Sequence, residues 1–381
     1  MSEACKNAMF AATMAKDPEI VFVARASAAH PRHAAASMIE LKDGSLFLAW
    51  MKVNRSSLEA NDEAPSDIVA MISQDGGRSW SDERMLIPRG ESDTAAYKPS
   101  LLRLQSGDIL FRYEMYHHLM TNEELNVSSF VCWSKDECHS FSDPAPIFQR
   151  RNDRMGSFHD VIQMASGRIV LPNEYYQGEF CNDDHGMGGC YYSDDNGRTW
   201  QECRNYVDLP LRGAEEPKIA ELRDGRLMMI IRTQLGSVFK SISEDGGASW
   251  SRGQTTGLMA PESCPAVIRV SQTGDLMVLF NHSPYDPVFD HFGMRTPLSL
   301  ALSSDEGESW HTIRDIETDP AWEFTNPAAI VTRDGMLLVA YEASKYASLE
   351  HPGKCGRTQM HLKLARIELD WLYASGRTMR S

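Results

Sequence analysis

Six polar side chains stand at comparable places along this chain of 381 residues: His33, Lys98, His159, Glu216, Glu262 and Asn326. Each lies about eight to twelve residues before a glycine (Gly44, Gly107, Gly167, Gly225, Gly274, Gly335) and just ahead of a short apolar run such as MIEL, SLLRL or IAEL. A second set follows the apolar run after each glycine: Arg112 with Glu114, Asn173 with Glu174, Arg232, and His282 with Asn281. Carboxylates gathered at one mouth can act as general acid and base, and a histidine there can abstract a proton. An arginine fork can hold a carboxylate through two parallel hydrogen bonds. Any one of these residues alone reads as a solvated loop residue or a partner for turn backbone; their recurrence at one register is what points to a site. His117, His118 and His185 fall in longer loops and read as rim or plain surface residues. There is no HExxH, no paired Cys or His at ligand spacing and no phosphate-cradling glycine loop, so no metal and no cofactor is expected. The one arrangement that would suit a cation is a ring of His33, His159 and His282.

The elements that must position these residues come from two interleaved repeats. The first is an octet: SQDGGRSW at 73–80, SKDECHSF at 134–141, SDDNGRTW at 193–200, SEDGGASW at 243–250 and SSDEGESW at 303–310. Asp and Ser can bond turn amides, Gly supplies a positive φ, and the terminal aromatic can bury against a neighbouring sheet. The second is a glycine leading into an apolar strand, in six copies from KDGSLFLAW to RDGMLLVAY. One unit thus reads strand, glycine turn, strand, loop, strand, octet, strand. That is a four-stranded antiparallel propeller blade, and six units predict an all-β six-bladed β-propeller. The early strand EIVFVAR is expected to pair with the closing segment MHLKLARIELDWL and complete the ring, because closure removes exposed edges. A single domain over 18–373 is expected, with 1–17 and 374–381 as loose termini and little helix.

Composition narrows the partners. The chain is 42% hydrophobic and 24% charged, with a net charge of −15. This balance disfavours nucleic acid and anionic membranes, yet a local arginine cluster can still attract an anionic small molecule. The first residues lack a basic start followed by an apolar run, and no stretch is apolar enough to span a bilayer. The eight cysteines show no regular framework, which fits free thiols in a cytoplasmic protein, although Cys181 and Cys190 could pair across a loop.

The octets resemble the Asp boxes of the sialidase (bacterial neuraminidase repeat) superfamily over nearly the whole chain. Sialidases hold a substrate carboxylate with three arginines and use a Tyr nucleophile paired with a Glu, plus an Asp acid/base. By that resemblance Glu216 and Arg232, 16 residues apart, match the Glu and the second arginine, and Arg295 in FGMRTPLSLALS matches the third. Ala34 occupies the first arginine's place, with Arg32 or His33 near enough to reach the same space. Asp62 matches the acid/base, with Glu63 and Asp67 as neighbours, and Asn326 stands where the Tyr belongs. Asn cannot form the covalent glycosyl intermediate. The resemblance therefore implies an exo-acting glycoside hydrolase for an acidic sugar, with Glu216 and Asp62 running inverting chemistry. Arg112, Arg232 and Arg295 would clamp the carboxylate, and Arg32, Lys98, Glu174, Glu262, His282 and Asn326 would complete the binding wall. A lyase using His33 or His159 as base and a non-catalytic glycan-binding propeller are the alternatives.

Overall fold

The computed structural model describes residues 16–56, 64–90, 93–117, 126–151, 153–155, 161–176, 185–289, 291–346 and 359–374. After β1 (Glu19–Ala24), one antiparallel meander comprises β2 (His33–Glu40), β3 (Leu46–Val53), β4 (Ser66–Ser73) and β5 (Arg84–Ile87). The next comprises β6 (Asp93–Arg103), β7 (Ile109–His117), β8 (Asn126–Ser134) and β9 (Ala145–Arg151). β10 (Asp153–Met155) and β11 (Ile162–Gln163) both pair with β12 (Ile169–Tyr176), which leads to β13 (Gly186–Ser193) and β14 (Gln201–Glu202). Two regular sheets follow: β15 (Glu215–Glu221), β16 (Leu227–Arg232), β17 (Ser237–Ser243) and β18 (Gln254–Met259), then β19 (Ala266–Arg269), β20 (Leu276–Asn281), β21 (Leu298–Ser303) and β22 (His311–Glu317). The last sheet is β23 (Trp322–Val331), β24 (Met336–Lys345) and β25 (His361–Glu368) with β1 returning as its outer strand, ahead of one short helix, α1 (Leu369–Tyr373).

This is an all-β propeller, but its hydrogen bonding departs from a set of separate four-stranded sheets. Among the described residues there are three sheets of four strands, one of five and one of eight. The eight-stranded sheet arises because β4 and β6 touch through one parallel bridge, Ser66 to Ala95, which fuses two meanders. The fifth strand of the other arises because β12 is long enough to take β10 at one end and β11 at the other. Ring closure follows the expected pairing, with Glu19 opposite Arg366 and Val21 opposite Leu364.

The octets are built alike. In the first, Ser73 Oγ donates to Asp75 Oδ1 at 2.8 Å, Gly77 N donates to Ser73 Oγ at 2.8 Å, and Ser79 donates to Asp75 through both its amide and its hydroxyl. In the degenerate copy Cys138 takes the glycine's place at φ 65° and its amide still reaches Ser134 Oγ at 2.8 Å. The terminal aromatics Trp80, Phe141, Trp200, Trp250 and Trp310 each join a different apolar layer between neighbouring meanders. Trp250 is buried and the other four are partly buried; full burial of such a side chain contributes roughly 2–3 kcal/mol.

Polar latches at the turn-glycine end tie each meander to the next. Arg103 donates to the Glu40 carbonyl at 3.2 Å, the Gln105 amide to Gln163 at 2.7 Å and the Ala165 amide to Glu221 at 2.8 Å. Arg223 donates to the Gly274 carbonyl at 2.7 Å, Gln272 to the Thr332 carbonyl at 3.2 Å, and the Arg333 amide back to Glu40 at 2.8 Å. The opposite ends of the same inner strands are left to carry the site. Cys190 does not wait for a loop partner: its thiol donates to the Gly247 carbonyl at 3.1 Å and lies beside Cys203, both being free thiols, while Cys181 lies outside the described residues.

Candidate functional site

Four innermost strands share one irregularity at the end opposite the latches. Pairing slips between Ala34 and Ser37, Tyr97 and Ser100, Glu215 and Lys218, and Thr325 and Ala328. Inside each slip a non-glycine residue adopts a left-handed backbone: Ala35 at φ 55°, Lys98 at 51°, Glu216 at 44° and Asn326 at 51°. Each lies nine residues before its turn glycine. A left-handed L-residue costs roughly 1–2 kcal/mol, and a bulge re-aims a side chain that a regular strand would point elsewhere. Lys98, Glu216 and Asn326 therefore share a register, and its member in the first meander is Ala35 rather than His33.

A second register lies seven residues after the turn glycines, at Glu114, Glu174, Arg232, Asn281 and Glu342. The two registers meet through pairs 16 residues apart. Arg232 Nη1 donates to Glu216 Oε2 at 2.8 Å, and Asn326 Nδ2 donates to Glu342 Oε1 at 2.7 Å. The family-like spacing of Glu216 and Arg232 thus corresponds to two adjacent strands crossing the sheet at the bulge.

Arg232 is the hub. Its Nη1 faces Glu216, its Nη2 donates to Glu262 Oε1 at 2.8 Å, and its Nε lies 3.5 Å from Glu215 Oε2. Arg212 bridges the same two buried glutamates, with Nη2 3.0 Å from Glu215 Oε1 and Nη1 bonded to Glu262 Oε1. Gln234 donates to Glu262 Oε2 at 3.1 Å, and His291 Nδ1 stands 3.8 Å from the same atom. Burial opposes ionisation of Glu216, but the Arg232 guanidinium outweighs it and holds the carboxyl at about 2, helped by Lys98 and Arg295. Glu262 is likewise held low, the charge of Arg232 prevailing over burial. Glu215 goes the other way: burial pushes its carboxyl well above the ordinary range, with Glu262 and Glu174 adding to the rise. Two glutamates of the cluster are therefore held as carboxylates, while burial opposes ionisation of the third.

The remaining predicted residues divide. Arg295 is buried, donates through Nη2 to the Glu262 carbonyl at 3.1 Å and sits at the edge of this cluster. Glu174 and Lys98 are buried beside it. Arg112 is fully buried, bonded to Glu114 and donating to the Lys98 carbonyl at 3.2 Å, so it packs behind the bulge and is not presented as a clamp. Arg32 is also buried and lies 3.8 Å from Glu342 Oε2. Glu342 further accepts the Ala35 amide at 3.1 Å, so the bulges of the first and last meanders meet on one carboxylate.

His33 is not at the mouth. Its Nδ1 accepts from Trp50 Nε1 at 3.0 Å, its ring also bonds the Arg25 backbone, and its charged neighbours are His30, Lys52 and His361. Burial lowers it to about 4, so its ring is neutral near pH 7 and held against Trp50. His282 is half-buried against Phe280, while Asn281 donates to the Pro297 and Phe324 carbonyls at 3.1 and 3.0 Å. His185 spans Asp208 and the Leu211 carbonyl. Asp67 accepts from Asn54 and the Arg89 amide. Asp62, Glu63, His118 and His159 lie outside the described residues. Among the described residues no group of three or more His, Cys, Asp or Glu is arranged to hold a metal ion.

Sequence reasoning missed Glu342, Arg212 and His291. Glu342 was readable: YEASK after the sixth apolar strand repeats the place of Glu114 in YEMYH. Arg212 and His291 sit in irregular loops and carry no repeat signal.

The curated sialidase of Micromonospora viridifaciens is 24% identical over 351 residues, covering 81% of this chain; the chain spans 47% of that protein's length. Among solved structures, the NanB sialidase K499G mutant from Streptococcus pneumoniae superposes with a TM-score of 0.70 at 13% identity, covering 97% of this chain and 73% of that one. A protein of unknown function from Dyadobacter fermentans superposes with a TM-score of 0.69 at 16% identity, covering 93% of this chain and 99% of its own. These likenesses carry the fold. The BNR repeat-like domain model matches residues 44–339, most of the length and all five octets, and the chain belongs to that sialidase-like family.

Proposed function

We propose that this chain is an exo-acting glycoside hydrolase for a carboxylate-bearing sugar, working at the axial mouth of a propeller whose meanders count as six blades. The observation that carries the reading is Glu216. Its side chain is 16% exposed, whereas Glu215, Glu262, Glu342 and Glu114 are at 3%, 1%, 1% and 0%. It is thus the carboxylate of the cluster open to a ligand, and Arg232 keeps it ionised. An ionised carboxylate there can accept a proton from an attacking water, its depressed pKa lowering the driving force of that transfer. With Asn326 in the nucleophile's place, direct attack by that water gives inversion, and Asp62 is the candidate acid. Lys98, Arg232 and Arg295 supply positive charge for the sugar's carboxylate.

A second reading, glycan binding without turnover, is favoured by Asn326, whose amide is committed to Glu342. The test is incubation with a panel of acidic glycans while reducing ends and ultraviolet absorbance are followed together. Reducing ends without absorbance, abolished about 100-fold or more by Glu216→Gln, support hydrolysis. Absorbance from a new conjugated double bond means elimination, with His159 as the remaining histidine candidate. Glycan binding with neither signal supports the second reading.

A further inference from the structure

We infer that a basic and aromatic patch formed by Phe22, Arg25, Trp322 and Lys345, at the mouth end of the last sheet, holds a second acidic unit of a glycan whose terminal acidic sugar occupies the candidate site. The ligand class is then a polyanionic oligosaccharide rather than one acidic sugar on a neutral carrier. The inference rests on the acidic-sugar reading above and uses no residue placed in that site.

Register gathers the patch on one face of the sheet, because cross-strand partners share a face. Trp322 stands opposite Lys345, His361 opposite Ala343, and Lys363 opposite both Tyr341 and Phe22. The Arg25 guanidinium lies 3.6 Å from the centroid of the Phe22 ring, and the Lys345 ammonium 5.4 Å from that of Trp322. His361 links the two halves: its ring meets Phe22 edge-on at 5.5 Å and Trp322 at 5.9 Å, and its Nδ1 accepts the Ala26 amide at 3.0 Å. Lys363 Nζ sits 5.3 Å from Phe22 and 5.1 Å from Trp322, and its charge is met by Glu317, which also accepts from Tyr341. The rings hold the outer cations in place, so less rotamer freedom is lost when an anion binds.

Arg25 and Lys345 are both exposed, and among the described residues neither head group is hydrogen-bonded or ion-paired. Several cations elsewhere on the surface do face carboxylates: Lys42 meets Glu137, Arg204 meets Asp245 and Arg333 meets Glu40. Phe22 covers one face of the Arg25 guanidinium, whereas its N–H donors lie in the plane of the group and can take a carboxylate. The chain's net charge of −15 does not cancel these cations from afar, since salt screens exposed charges beyond about 8–10 Å. Burial, and then the charges of Arg25, Lys363 and Lys345, hold the His361 ring below its ordinary range, so the three cations act on one spot. The patch also continues the mouth outward. Trp322 lies four residues before Asn326 on β23, roughly 13 Å along a strand, and Lys345 follows Glu342 by three residues on β24. Tyr346, next to Lys345, accepts the Arg295 amide through its hydroxyl at 2.9 Å. A glycan leaving the mouth along this strand pair therefore passes over Trp322 and Lys345.

The test measures binding by NMR of two series, galacturonate and α2,8-linked N-acetylneuraminate, each as monomer, dimer and tetramer. In at least one series the wild type should bind the tetramer about tenfold or more tighter than the monomer, and the tetramer but not the monomer should shift the His361 imidazole signals. The double variant Arg25→Gln, Lys345→Gln should bring the ratio close to one with monomer affinity unchanged. Arg25→Lys with Lys345→Arg, which keeps both charges, should retain most of the gain. A wild type that binds monomer and tetramer alike, or a double variant that keeps the gain, overturns the inference and leaves the acidic-sugar reading standing. A tetramer bound through Arg25 and Lys345 with no monomer binding keeps the patch and overturns that reading. No binding in either series overturns both.

Discussion

Replacing Arg232 by methionine tests the charge network directly. Methionine keeps an unbranched side chain of similar reach but withdraws the positive charge from Glu215, Glu216 and Glu262. Glu215 and Glu262 retain Arg212, whereas Glu216 loses its hydrogen-bonded partner. In the folded protein Glu216 falls from 4.5 to about 2, a preference for the ionised form of roughly 3 kcal/mol. A carboxyl depressed on folding contributes its full stability above its unfolded value and loses it as pH falls through the folded value. Without Arg232, burial opposes ionisation of Glu216, so the gap between wild type and Arg232→Met should be at least roughly 3 kcal/mol at pH 7 and should narrow as pH falls toward 2. Removing one partner of a buried pair typically costs about 3–5 kcal/mol, in line with this figure. Urea unfolding followed by tryptophan fluorescence at several pH values gives the gap at each. A gap below about 1 kcal/mol at pH 7, or one independent of pH, would refute the claim that Arg232 holds Glu216 ionised.

Other outcomes follow from the same structure. Gly213→Ala should destabilise the protein by more than about 2 kcal/mol, because the new Cβ collides with the Gly186 carbonyl at a left-handed φ; calorimetry checks it. Asp195→Ala should lower stability by about 1–3 kcal/mol, since it removes an acceptor for the Thr199 amide and hydroxyl and for Ser193. The octet carboxyls Asp136, Asp195 and Asp305 are held at about 2, chiefly by hydrogen bonds from Ser140, Thr199 and Ser309, so cooperative acid unfolding should set in below pH 4 and steepen toward pH 2. His33 should stay neutral down to about pH 4 in imidazole NMR; because its folded value lies below 6.5, it lowers stability as pH falls between those values, and a midpoint near 6.5 would contradict its burial against Trp50.

Much of the fold was legible because it is periodic. The octet has a local explanation for every position, so Ser73, Asp75 and Ser79 close on one another within a single turn whatever surrounds them. The glycine-led strands then set the order of pairing, and the return of β1 to β25 followed from the need to cover an edge. Spacing also carried part of the site. Lys98, Glu216 and Asn326 share a bulge, and the separation of Glu216 from Arg232 survived as a hydrogen bond.

Where the count slipped by two residues, at His33, the side chain turned out to lie against Trp50 while Ala35 took the bulge. Residues two apart on a regular strand share a face, but the irregularity between Ala34 and Ser37 breaks that alternation and re-aims Ala35 relative to His33. Likewise Arg112 is buried behind Glu114, and Asn281, not His282, holds the register position.

The sequence by itself determined the repeats, the all-β class and which inner-strand ends carry polar residues, because those depend on turns and alternation within a few residues. The tertiary structure decided which carboxylate meets which guanidinium. Arg212 and Glu262 are 50 residues apart and come together only when successive sheets pack around a common axis. That packing also divides the ionisation of Glu215, Glu216 and Glu262, because burial and neighbouring charge are properties of the assembled ring and not of any segment.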